Sequence, residues 1–380
     1  MTEEHFFEPN AAYIHIPFCV SKCIYCDFNS YPGMESLHDR YVRALITEIE
    51  QTAAGRHRPL DSVYIGGGTP TVLSTSYLCD ILTSLKPISK NAEITLEANP
   101  GTVDKSKFVQ LYDAEFNRLS IGVQSLDDDY LSILGRAHNV EQAVEAYMAA
   151  RNAGFDNISI DLIFALPGQS INHWKNTLDA ALQLEPEHIS LYELTVEEGT
   201  RLADLCAQGD VSLPDEDLQI EMYELAIARL KSAGFEHYEV SNFARPGFKC
   251  RHNQVYWRNE PYYGFGAGAT SYVSGDRAIR FRDPKHYIDE MESGGGAIES
   301  AEHLTGRRYL AETLIQGLRM LDGIDLHKLT AKTCTDISND FAKEIADLQS
   351  RGLVEYFDSH LRVTHSGLLL LNDVSETLLP

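Results

Sequence analysis

The sequence predicts an α/β protein built from six βα units on a parallel sheet, with a small C-terminal α+β domain of winged-helix-like shape. Three observations predict it. Between residue 11 and about residue 195, short apolar runs rich in β-forming residues alternate with helical stretches, the pattern of repeated βα units. Two of the later helices end at Gly154 and Gly234, each followed by Phe and a new strand-like run, and glycine suits a left-handed C-terminal cap. In the tail, helical stretches give way to LVEYF and LRVT around Asp358-Ser359-His360, the signature of a hairpin.

Taken in order, the expected strands are Ala12–Phe18, Ser62–Ile65, Glu93–Glu97, Arg118–Val123, Ile158–Phe164 and Ile189–Leu194. Between the first two lies ESLHDRYVRALITEIEQ, where Leu37, Tyr41, Leu45 and Ile49 fall on one helical face. The units repeat in topology without a sequence repeat of fixed length. After residue 235 the alternation breaks into the aromatic and glycine-rich NFARPGFKCRHNQVYWRNEPYYGFGAGATSY, then ESGGGAIES. The sequence thus divides into residues 1–235, a segment and linker over 236–300 with its boundary near Gly294–Gly296, and a small domain over 301–380.

A chain of 380 residues with 43% hydrophobic content can bury a sizeable core. Its formal charge of −24 argues against a general nucleic-acid surface, which needs lysine and arginine to displace counterions. Acidic residues also outnumber basic ones across the tail, so its winged-helix-like shape suggests docking or a lid rather than DNA binding. MTEEHFFEPN carries no basic and apolar leader, and no apolar run reaches the ~18 residues of a membrane span. A cytoplasmic protein is expected. Seven cysteines is an odd count, and in a reducing compartment clustered cysteines suggest metal or catalysis.

Three of them cluster. YIHIPFCVSKCIYCDF sets Cys19, Cys23 and Cys26 in a C-x3-C-x2-C arrangement directly after the first strand. Pro17 ends that strand and puts the cysteines on a loop, which can wrap an iron–sulfur cube ligated by thiolates. Three thiolates leave a fourth iron open to a chelating small molecule. The alternatives are a zinc site with His15 as fourth ligand, or unrelated core cysteines; zinc sites normally show a second ligand pair, and none is present here.

In parallel α/β sheets, ligands sit beyond the C-terminal ends of the strands. Strand two is followed by Gly66-Gly67-Gly68-Thr69-Pro70, where missing side chains allow close backbone approach or simply make a turn. Strand three ends in Glu97, Asn99 and Pro100, strand four in Gln124 and Ser125, and strand six in Tyr192 and Glu193. Asp161 interrupts an apolar strand, and Arg136 could neutralise one of these carboxylates or hold a ligand carboxylate. Each residue alone could be a cap or an ion-pair partner, but five strand ends converge beside the cysteine loop.

YIHIPFC, the C-x3-C-x2-C loop, GGGTPT, EANPGT, LSIGVQS and DLIFALPGQ, in that order, resemble the coproporphyrinogen III oxidase-like branch of the radical S-adenosylmethionine (SAM) superfamily. The likeness covers nearly the whole chain, including the small C-terminal domain. It implies a partial (βα)6 TIM-like barrel, a [4Fe-4S] cluster on Cys19, Cys23 and Cys26, and SAM at the open iron, where one electron can cleave SAM to a radical. It carries SAM contacts onto Tyr13, Tyr25, Gly67, Gly68, Thr69, Glu97, Gln124, Arg136 and Asp161; Tyr25, taken alone, is as readily a packing residue.

The branch holds an oxygen-independent oxidase of porphyrin biosynthesis and the HemW-type haem chaperones. The oxidase pattern has a fourth cysteine two residues after the third, where this chain has Phe28, and a long N-terminal extension, where only eighteen residues precede Cys19. HNQVYW at His252–Trp257 resembles the motif associated with haem in the chaperone group. His252 then offers an axial ligand, Cys250 is a rival, and Tyr256, Trp257, Tyr262 and Tyr263 supply flat apolar surface. Arg245, Lys249, Arg251 and Arg258 suit haem propionates. A histidine among aromatics is also commonly a packed or capping residue. The expected partners are haem, an acceptor such as a respiratory haem protein, and an electron donor, with oxidase activity absent.

Overall fold

The computed structural model describes residues 8–53 and 57–379, so the N-terminal MTEEHFF lies outside the described residues. Six strands run parallel in sequence order: β1 (Ala11–Ile16), β2 (Leu60–Gly67), β3 (Ile88–Ala98), β4 (Arg118–Gln124), β5 (Ile158–Phe164) and β6 (His188–Glu193). The helices between them bury apolar stripes against the sheet. In His38–Ala53 these are Tyr41, Val42, Leu45 and Ile49, while Leu37 lies in the preceding 3-10 turn.

Strands buried on both faces usually read as continuous apolar runs. Here one face alternates apolar with polar. On β3, Ile94, Leu96 and Ala98 join the hydrophobic core, while Glu93, Thr95 and Glu97 take the opposite face. Ser62, Glu93, Thr95, Arg118, Ser120, Ser159, His188 and Ser190 are all buried, so the barrel interior is a polar layer. Burial of that kind is costly unless the groups are hydrogen-bonded, and most of them are, although Thr95 Oγ1 and Arg118 Nε have no partner.

The chain does not leave the sheet after residue 235. β8 (Asn242–Ala244) pairs antiparallel with β6, β7 (Glu236–Glu239) pairs antiparallel with β8 at the outer edge, and β9 (Tyr263–Phe265) adds a seventh parallel strand on the free edge of β1. The order is β9-β1-β2-β3-β4-β5-β6-β8-β7, a barrel that stays open because its end strands do not pair. Covering both outer edges satisfies backbone groups that would otherwise stand unpaired. Strands of three or four residues leave too short a pattern to read. The expected linker near Gly294–Gly296 is likewise a tight connection: Gly294 caps helix Pro284–Ser293 at φ +79°, and strand Ile298–His303 returns to pair with Asp276–Arg280.

The tail folds as expected into helices and a small antiparallel sheet. Phe357 pairs directly with His360, so the hairpin turn is Asp358–Ser359 alone. Asp358 takes φ +53° there, a conformation aspartate tolerates. This unit is tied to the barrel through β7: Val240 N donates to Arg319 O (3.2 Å), and Leu321 N donates to Tyr238 O (3.1 Å).

Candidate functional site

The cysteine loop is stapled at both ends before it reaches the site. Phe18–Cys19 pairs with Tyr31–Pro32, Tyr31 N donates to Pro17 O (2.8 Å), and the His15 ring bonds Asn29 O (2.8 Å). Asn29 in turn donates to Ala267 O (3.0 Å), which fastens the loop to the segment after β9. The three half-buried cysteines face one cavity of about 550 Å³ at the C-terminal ends of the strands. Cys19 Sγ lies 3.5 Å from Thr69 Oγ1, and Cys26 Sγ lies 3.9 Å from Ser30 Oγ. Arg136 Nη1 donates to Cys23 Sγ at 3.5 Å. Burial pushes the Cys19 and Cys26 thiols up, so metal binding there must displace their protons. Among the described residues no three metal-binding side chains gather closely enough to hold a single ion. Thiols spread around one cavity suit a cluster, in which each meets its own iron.

The glycine turn after β2 lies directly on this loop. Gly68 N donates to Ile16 O (2.9 Å) and Thr69 N to Phe18 O (2.8 Å). A Cβ at Gly68 would stand 2.7 Å from Phe18 O and 3.0 Å from Cys19 Sγ, and Gly67 adopts φ +116°. Gly68 is needed for close contact, and Gly67, whose Cβ would stand 2.7 Å from the His15 ring, for contact as well as conformation.

The strand ends supply charge. Glu97 accepts from Tyr64 OH (2.8 Å) and Gly67 N (3.0 Å); burial pushes its carboxyl up to about 7, with the Tyr64 bond opposing. Asp161 accepts from Ser120 Oγ (3.0 Å) and Ser159 Oγ (3.3 Å), and burial raises it too. Arg136 donates through Nη2 to Gly122 O (2.8 Å), while its buried Nε has no partner. An unpaired donor of that kind is costly, and a ligand oxygen would satisfy it. Tyr25 and Gln124 complete the lining; Gln124 holds φ +67°, which turns the chain out of β4.

Eleven of the thirteen expected residues therefore line one cavity. Tyr13 does not: it sits one layer below, with its hydroxyl on His15 Nδ1 (2.9 Å) and its ring beside Tyr64. The sequence reading missed Tyr64, Ser120 and Gly122. Their one available signal was the period-two alternation that turns them inward with Glu97 and Asp161.

His252 corrects the expectation more sharply. Helix Arg251–Trp257 packs beneath the barrel at the N-terminal end of β2, and its partner Ser62 stands five residues, roughly 16 Å along the strand, before Gly67. His252 is fully buried, and both ring nitrogens are taken, Nδ1 by Ser62 Oγ (3.0 Å) and Nε2 by Tyr256 OH (2.8 Å). It presents no nitrogen to haem iron in this structure. The rival Cys250 is equally buried and donates to Glu93 Oε1 (3.5 Å). The nearby cations are spent locally: Lys249 on Glu236 (2.9 Å), Arg251 on Asn91 O (2.6 Å), Arg258 on Gln254 (2.9 Å), and Arg245 over the Phe235 ring. Tyr256 packs edge-on to Tyr262, and Trp257 lies under Arg319.

Burial, reinforced by Arg118, lowers the His252 pKa from 6.5 to about 3. The unfolded chain takes up that proton near 6.5 and the folded chain does not, so stability is intact above 6.5 and is lost as pH falls toward about 3. A His252→Gln variant removes this titration. Chemical denaturation between pH 6.5 and 5 should show the wild-type advantage over the variant shrinking, with a slope that steepens toward ~1.4 kcal/mol per pH unit; a constant gap contradicts the buried, neutral histidine.

Residues 13–181 match the radical SAM superfamily model, and residues 304–370 match that of the HemN C-terminal domain. The chain is 39% identical over 369 residues to the heme chaperone HemW of Bacillus subtilis, covering 96% of this chain and 97% of that one. It is 34% identical over 380 residues to the heme chaperone HemW of Escherichia coli, covering 98% of each. Among solved structures, coproporphyrinogen III oxidase (HemN) from Escherichia coli, a radical SAM enzyme, is similar with a TM-score of 0.85 at 25% identity, over 99% of this chain and 91% of that one.

Proposed function

Since the chain belongs to the radical SAM superfamily and, within it, to the heme chaperone HemW family, we propose that it binds haem and hands it to an acceptor protein, with a [4Fe-4S] cluster and SAM governing the transfer. Cys19, Cys23 and Cys26 hold the cluster. Arg136 meets the carboxylate of SAM, Tyr25 flanks its adenine, and Gly67, Gly68 and Thr69 let the backbone approach it. Glu97, Gln124 and Asp161 accept or donate hydrogen bonds around it. When bound and reduced, the cluster supplies one electron to SAM. The chain's own work is to seat the ligand, screen it from water and keep the buried Glu97 and Asp161 hydrogen-bonded.

The observation that carries this reading is Phe28. It stands where the oxidase pattern has a further cysteine, at the mouth of the cavity and 64% exposed, near Val20 at 60%. A cavity of about 550 Å³ is in the range of small-ligand sites; in this reading SAM occupies it, and the tetrapyrrole rests outside the barrel on the apolar mouth. Haem is cargo there. No helix among the described residues is long and apolar enough to cross a membrane, and we place the exchange in the cytoplasm, with a respiratory haem protein as acceptor and a separate one-electron donor for the cluster.

The likeness to the oxidase structure favours a second reading, oxygen-independent decarboxylation of coproporphyrinogen III. One anaerobically reconstituted preparation, assayed for both haem transfer and this decarboxylation, separates the two. Transfer without turnover is the expected result.

A further inference from the structure

We propose that His252 is a positioning residue for the SAM cavity, acting through Tyr64 on Glu97, so that helix Arg251–Trp257 and the cavity at the other end of the barrel are mechanically joined. The inference rests on Glu97 being a SAM contact.

Two adjacent strands carry the connection. On β3, the Glu93 carboxylate caps the start of the helix, accepting from Arg251 N (3.0 Å), His252 N (3.0 Å) and Cys250 Sγ (3.5 Å). Four residues further along the same strand and on the same face stands Glu97. On β2, Ser62 bonds His252 Nδ1 (3.0 Å), and two residues on, the Tyr64 ring stacks on the His252 ring at 5.3 Å and 28°. Tyr64 OH then donates to Glu97 Oε1 (2.8 Å), while Gly67 N holds Oε2 (3.0 Å). The imidazole is therefore the floor under Tyr64, and Tyr64 fixes one of the two Glu97 oxygens. Tyr256 OH on Nε2 (2.8 Å) locks the floor in place, and Tyr13 closes on Tyr64 from β1 with ring centroids 6.2 Å apart.

Room to readjust is small. A Cβ at Gly66 would already meet Glu97 Cδ at 2.8 Å and the Tyr64 ring at 2.8 Å, so the carboxylate is packed as well as bonded. If the His252 ring moves, Tyr64 loses its support and Glu97 keeps only the backbone bond. By reciprocity, a ligand that needs Glu97 in place also favours the seated helix. The imidazole suits this post because, neutral and flat, it offers two hydrogen-bonding nitrogens at its edge and an apolar face to Tyr64.

The test is SAM binding to the cluster-reconstituted full chain, measured anaerobically by equilibrium dialysis, alongside the Soret spectrum on haem titration. Variants are Tyr64→Phe, His252→Ala, His252→Phe and Glu97→Gln, each checked for cluster content. Tyr64→Phe, which removes one oxygen and keeps the packing, should weaken SAM about tenfold, the loss of one hydrogen bond to a charged group. His252→Ala should weaken it at least as much. His252→Phe, which restores a ring under Tyr64, should recover most of the affinity. Haem spectra should stay unchanged in all three. Wild-type SAM affinity in Tyr64→Phe, with Glu97→Gln impaired, overturns the inference even if His252→Ala fails to fold. Loss of the Soret band in a folded His252→Ala variant with SAM affinity intact overturns it in favour of a haem ligand. Unchanged SAM affinity in Glu97→Gln instead removes the underlying assignment of Glu97 to the SAM site.

Discussion

A Cys23→Ser variant takes up no [4Fe-4S] cluster: after anaerobic reconstitution, its iron content and visible iron–sulfur absorption fall to background. The effect is complete because the loop offers three thiols and nothing in reserve. Cys79, Cys206, Cys250 and Cys334 do not line the cavity. Cys23 is also the thiol that Arg136 meets at 3.5 Å, so a thiolate there is stabilised by a guanidinium held on Gly122 O. A serine hydroxyl is a poor substitute ligand for iron held by soft thiolates. Retention of the cluster in this variant refutes the assignment of the three cysteines.

The second large effect belongs to a residue with no side chain. Gly68→Ala places a methyl 2.7 Å from the Phe18 carbonyl oxygen and 3.0 Å from Cys19 Sγ, and a backbone oxygen cannot step aside as a side-chain tip can. Overpacking of this kind costs about 1–3 kcal/mol. Here the strain falls on the strand that delivers Cys19, so iron uptake and SAM affinity drop together with the melting temperature. Gly101→Ala is the control: it lies on the same cavity, yet its Cβ would meet nothing closer than 3.9 Å. Equal iron uptake in the two variants would mean that the close approach of turn and loop is not needed.

The two variants mark what the sequence could and could not disclose. Cys19, Cys23 and Cys26 are legible because their chemistry and spacing are local, and Glu97 and Asp161 because a charge in a strand is conspicuous. The six long strands carry runs bounded by turns, whereas Tyr263–Phe265 and Asn242–Ala244 are too short to carry a period and pair only because the barrel leaves edges beside them. Tyr64, Ser120 and Ser159 are ordinary strand residues until the sheet curves and turns them inward. HNQVYW shows the converse. Histidine among tyrosines and arginines reads as an exposed ligand platform or as a packed plug, and burial, which decides between them, depends on Ser62 and Glu93 far away in the chain.

The shift from porphyrin oxidation to haem handling turns on Phe28, and a single measurement tests it most directly. The reconstituted chain, supplied anaerobically with SAM, a one-electron donor and coproporphyrinogen III, should form no decarboxylated porphyrinogen, while the same preparation loaded with haem passes it to an apo haem protein, read as a shift of the Soret band. Sustained decarboxylation, with haem neither held nor passed on, would contradict the chaperone.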